Sequence, residues 1–169
     1  MFRRAAAIAL LAGSALALSG CVMLPPVPAP DPGPAPDATG PAGAAGTCDD
    51  GVLRVDQPGE YRIGDCDEVH ISGRGIEVVA GDVGLITIRG DDNEVEAASV
   101  GSVDIEGQDN DVDAETVGAI EIAGDRNGVD SRRDVGAVTI RGNENEVEYG
   151  GNVGAVDDQG ARNEVRTEG

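Results

Sequence analysis

The chain has 169 residues, with 32 acidic side chains against 12 basic ones, all arginine, and a formal charge of −20. So anionic a chain has no electrostatic footprint for nucleic acid or for acidic lipid headgroups, and nucleic-acid binding is excluded. Two tyrosines, one phenylalanine and no tryptophan leave little material for a bulky core or for the aromatic platforms of sugar-cleaving sites.

In chain order, Arg3 and Arg4 form a basic start, and Ala5 to Leu18 is an apolar stretch of 14 residues. That is short for a bilayer span and suits the core of an export signal. Leu18-Ser19-Gly20-Cys21 resembles the bacterial lipoprotein lipobox at all four positions. The resemblance implies removal of residues 1–20 and lipidation of Cys21; an ordinary secretory signal with an incidental cysteine is the alternative. The arginine pair lacks the flanks of a twin-arginine signal, which points to the general export route. Loss of Arg3 and Arg4 with the leader takes the charge from −20 to −22. Membrane attachment is then expected from the lipid, on the extracytoplasmic face, and not from a basic patch.

Residues 21–46 follow the lipidated cysteine with Pro, Ala and Gly, and hold eight of the nine prolines. Such a segment cannot build a core, and a disordered, polyproline-like tether is expected. Cys48 and Cys66 remain as a pair in an exported setting, where a disulfide is expected. They lie 18 residues apart, and closing a loop of that size contributes about 3 kcal/mol by restricting the unfolded chain.

From Val83 onward the chain repeats V-G-x-(I/V/L)-x-I-x-G-x-x-N-x-V. Its glycines are Gly90, Gly107, Gly124, Gly142 and Gly160, and its asparagines Asn93, Asn110, Asn127, Asn145 and Asn163, stepping by 17, 17, 18 and 18. A less regular copy begins at Cys66, with Ile76 in place of the asparagine. Ile86 and Ile88, Val103 and Ile105, Ile120 and Ile122, and Val138 and Ile140 alternate with period two, which marks strands. A second short strand is built around Val95, Val112, Val129 and Val147. One such repeat cannot bury its own inner face, whereas a stack can. The expected fold is all-β: a single β-solenoid over residues 47–169, of about six coils with 17–18 residues per coil. The asparagines are expected to stack as amides at corners, with Asn and Gly supplying left-handed backbone there. Asp158 takes the inward isoleucine position of the last copy and is expected to act as a polar cap.

The stretch from Gly64 to Gly73, "GDCDEVHISG", with "GDDNEV" and its repeats behind a lipobox and a proline-rich tether, is similar to actinobacterial (mycobacterial-type) lipoproteins carrying the domain of unknown function 3060. The similarity covers about Cys48 to Val165 and brings no catalytic residues with it.

Outward carboxylates flank each valine of the second strand: Glu94 and Glu96, Asp111 and Asp113, Asp130 alone, Glu146 and Glu148, then Glu164 with Arg166. Stacked like charges repel, with relief expected from solvent, from Arg126, Arg132 and Arg133, or from divalent cations. Oxygen-rich surfaces suit calcium, which makes Asp91, Glu94, Glu96, Asp111, Asp113, Glu146 and Glu148 candidate ligands, although the spacing is neither that of an EF-hand nor of the calcium nonapeptide. His70 and Ser72 share a face by parity but form no evident nucleophilic constellation. Arg89-Gly90-Asp91 is an adhesion-type tripeptide that the copy at 141–143 does not keep, as expected of one turn of a repeat. The sequence therefore points to a non-enzymatic module without a cofactor, meeting an envelope protein or glycan. An acidic calcium-binding surface protein is the alternative, and a polysaccharide-active enzyme the third reading.

Overall fold

The computed structural model describes residues 44–45 and 47–168. The export signal, Cys21 and nearly all of the tether lie outside the described residues. Every regular element described is a strand, and the strands pair in parallel. They wind a β-solenoid of about seven turns.

Each coil has two main sides. One is formed in succession by β2 (Val52–Val55), β4 (Cys66–Arg74), the later parts of β5 (Ile76–Asp91), β6 (Glu94–Gln108) and β7 (Asp111–Asp125), then β9 (Val135–Arg141) and β11 (Val156–Asp158). The other is formed by β1 (Ala44–Ala45), β3 (Gly59–Arg62), the opening residues of β5, β6 and β7, then β8 (Gly128–Ser131), β10 (Glu146–Tyr149) and β12 (Glu164–Thr167). The coil beyond the expected six is the one containing β2 and β3, which lacks the asparagine-valine signature. Pairing also starts at Ala44, before the compositional boundary at 47, because backbone pairing needs no particular side chain.

The repeat becomes a set of vertical ladders. Ile71, Ile88, Ile105, Ile122 and Ile140 stack in register, beside Val69, Ile86, Val103, Ile120 and Val138. Across the interior, Val78, Val95, Val112, Val129 and Val147 form the facing column. All are at most 2% exposed. Burying each such side chain contributes about 1.5–3 kcal/mol, and only β-branched aliphatics of nearly equal size keep the coils stacked at the strand spacing of about 4.8 Å. A further column runs Cys66, Val83, Val100, Val117 and Val135. Its first member is bonded to Cys48, with Cα atoms 5.9 Å apart, so the disulfide pins the start of the stack.

The asparagines form the expected buried ladder. The Asn110 side-chain amide donates to Asn127 Oδ1 at 3.0 Å and to the Gly90 carbonyl at 2.9 Å, while the Asn110 backbone N–H donates to the same Asn127 oxygen at 3.1 Å. The pattern recurs at Asn93, Asn127 and Asn145. At the near end Asn93 Oδ1 accepts from the Ile76 backbone N–H. At the far end Asn163 donates to Asp158 Oδ1 at 2.7 Å, so Asp158 does cap the stack.

One expectation is corrected. The left-handed corner residue is not the asparagine but the residue before it: Asp92, Asp109, Arg126, Glu144 and Arg162 have φ of 53° to 59°. The asparagine faces inward because its amide is committed to the ladder, and the sharp turn falls on its outward neighbour. Gly90 and Gly107 carry φ of 152° and 147°, and their larger role is close approach, since a Cβ on Gly107 would lie 1.8 Å from the Gly90 carbonyl oxygen.

Candidate functional site

With the interior filled by ladders, chemistry is left to the outward faces. On the second side, strand register lines up Glu77, Glu94, Asp111, Gly128, Glu146 and Glu164 in one column, and Glu96, Asp113, Asp130, Glu148 and Arg166 in its neighbour. Neighbours in a column are one strand spacing apart, close enough for like charges to destabilise one another.

Two carboxyls register this crowding. Burial first, and then Asp113, pushes the Asp111 carboxyl above the ordinary carboxylate range. Burial again leads at Asp130, followed by Glu168, Asp113, Glu148 and Asp111, and its carboxyl is also raised. Relief comes from Arg166, which the sequence places beside Glu164 on the outward face but which is not among the arginines expected to serve there. Its guanidinium meets Glu146 and Glu148, and Glu164 at 2.6 Å. The arginines expected to serve there act elsewhere: Arg126 pairs with Asp109 at 2.7 Å and Arg133 with Glu115 at 2.8 Å, while Arg132 makes no ion pair among the described residues.

The carboxylates brought closest together are Asp130, Glu148 and Glu168, each offering an oxygen within 4.8 Å of the others. Calcium binds oxygens at about 2.3–2.6 Å, so opposite ligands stand about 4.6–5.2 Å apart, a spacing that this group matches. Beside it a shallow cleft of about 210 Å³ is lined by Asp111, Asp113, Asp130, Glu146 and Glu148. Of the candidate ligands read from the sequence, Glu148 belongs to the group, and Asp111, Asp113 and Glu146 line the cleft. Glu94 and Glu96 lie higher in the same columns. Asp91 is occupied elsewhere, holding Arg74 at 2.9 Å and accepting from the Gln108 N–H. Asp130 is read from the sequence as one of the outward acids but not as a ligand, and Glu168 is not singled out there.

On the first side His70 Nε2 lies 2.9 Å from Glu68 Oε2, and no hydrogen bond joins His70 to Ser72. Arg89 points outward to Glu106 at 3.0 Å, so the Arg-Gly-Asp stretch is one turn of the repeat with both charged ends engaged.

The molecule is thus an all-β parallel solenoid with a buried asparagine ladder and an acidic flank. Set against family models, curated proteins and solved structures, the chain matches none.

Proposed function

We propose that the protein is an exported lipoprotein, anchored through Cys21, that holds a rigid β-solenoid on a proline-rich stalk as a non-enzymatic binding or structural module of the cell envelope. In this reading it belongs with the lipoproteins carrying the domain of unknown function 3060. The observation that carries it is the unbroken in-register stacking. It creates long outward columns of side chains at strand spacing, suited to repeated contacts along an extended protein or glycan partner.

The test pairs two measurements on the full-length protein. Wild type is expected in the membrane fraction and Cys21→Ala in the soluble exported fraction. Immobilised wild type is expected to retain a defined component of envelope extract without cleaving it. Identical fractionation of the two proteins removes the anchor, and release of cut glycan fragments favours the enzymatic reading.

The Asp130, Glu148 and Glu168 group favours a second reading, a calcium-binding acidic flank. Millimolar calcium is then expected to raise the melting temperature by roughly 2–4 °C over ionic-strength-matched sodium, and Asp130→Asn to abolish the difference. The metal requires the ionised carboxylate, and the Asp130 carboxyl is held above its ordinary range. Calcium binding is therefore expected to weaken as pH falls into that raised range. Equal melting temperatures in both salts end this reading.

A further inference from the structure

On the first side, one place departs from the acidic pattern of the flank. Register aligns Arg54, His70, Thr87, Asp104 and Glu121 in one outward column, and Ser72, Arg89, Glu106 and Ala123 in the next. The first three coils present donors in these columns and the next presents Asp104 and Glu106; beyond it stand Glu121 and Ala123, then Thr139 and Arg141. Arg54, His70, Ser72, Thr87 and Arg89, with Ile71, line a cleft of about 310 Å³ that contains no carboxylate. Thr87 points outward by alternation yet is only 5% exposed, so longer side chains stand around it as walls around a floor.

The charge accounting makes this place unusual. Of the ten arginines from Arg54 to Arg166, eight are held in ion pairs. Arg54 has no ion pair among the described residues, although the chain carries 32 acids. Its register neighbour is an imidazole, followed by a hydroxyl. Two neighbouring carboxylates are committed, Glu68 to His70 and Glu106 to Arg89, while Asp104 follows Thr87 in the column and marks where the donors end. No side-chain hydrogen bond engages Ser72 or Thr87 among the described residues.

We infer that this cleft is a subsite for an oxyanion, a phosphate or a carboxylate, carried by the partner of the solenoid. Guanidinium groups present planar forks of N–H donors that match both anions. Two of them converge here with an imidazole and two hydroxyls, so an anion can be met by donors from three successive coils. The negative charge of the rest of the protein is screened beyond about 8 Å at physiological salt, which leaves the near donors to decide. The inference deepens the binding role proposed above and rests on it for its setting, while its test is separate.

The test follows the arginine side-chain N–H resonances of the full-length protein by NMR. Sodium phosphate and sodium glucuronate are each titrated against sodium chloride of equal ionic strength, and glucose serves as the neutral sugar. Saturable shifts at Arg54 and Arg89 are expected with phosphate, glucuronate or both, at roughly millimolar affinity; whichever anion binds identifies the oxyanion. Arg54→Ala is expected to weaken binding at least tenfold. Arg132→Ala, which removes the other arginine without an ion pair among the described residues, is expected to leave it unchanged. Shifts that follow ionic strength alone, equal binding of glucose, or an Arg54→Ala variant that binds like wild type would overturn the subsite. A protein that stays anchored and captures its partner but fails this titration loses the subsite and keeps the proposed function.

Discussion

Gly107→Ala is expected to destabilise the domain by about 3–5 kcal/mol, the larger part of the stability of an ordinary domain. Two costs combine. The residue has φ of 147°, a backbone state that side chains rarely adopt and that costs of order 1–3 kcal/mol to impose. The new Cβ would also lie 1.8 Å from the Gly90 carbonyl oxygen, and relieving such overpacking costs typically 1–3 kcal/mol. That oxygen cannot swing aside freely, because it accepts the Asn110 side-chain amide at 2.9 Å. Gly64→Ala is the control: nothing stands within 4 Å of its added Cβ, and its effect should stay within about 0.5 kcal/mol. Urea unfolding reads both, and coincident midpoints for the two variants would refute the close-stacking account.

Asn127→Ala is expected to cost about 4 kcal/mol, also by urea unfolding. The Asn110 backbone N–H and side-chain amide both lose the Asn127 oxygen, at 3.1 and 3.0 Å, and the Gly107 carbonyl loses its donor at 3.1 Å. Asn127 and Asn110 are each 1% exposed, so water does not replace these partners, and each orphaned group costs about 1–3 kcal/mol. Asn163→Ala, at the half-buried end of the ladder, is expected to cost only about 1 kcal/mol, because water reaches the groups it abandons. Equal losses at Asn127 and Asn163 would mean that the ladder is not a buried chain of bonds. Because Gly107 and Asn127 share one hydrogen bond, the double variant should lose less than the sum of the two single losses.

The two predictions rest on features of different legibility. The Asn and Gly columns stand out in the sequence at steps of 17 and 18, and the asparagine ladder could be read from parity with the valine two residues on. The reason for the glycine could not. A tight corner explains a lone glycine as well as a close approach does, and only the distance between stacked coils tells them apart. The acidic flank was readable as a series of paired carboxylates around each valine. That Arg166 neutralises its lower end, and that Glu168 joins Asp130 and Glu148, depends on where side chains of different coils meet.

The sequence by itself determined the class of fold. Alternating aliphatics within a repeat too short to bury its own face leave stacking as the way to remove them from water, and the repeat length then sets the coil. The tertiary structure alone decided which outward residues become neighbours. The first coil pairs with the second at an offset of 16, Arg54 against His70, whereas the next steps by 17, His70 against Thr87. Counting by the repeat length would set Arg54 against the buried Ile71 and lose the donor cluster. Register is chosen by burial of Leu53 and Val55 over Val69 and Ile71, so the pairing that brings the outward donors together follows from which aliphatics fit the core.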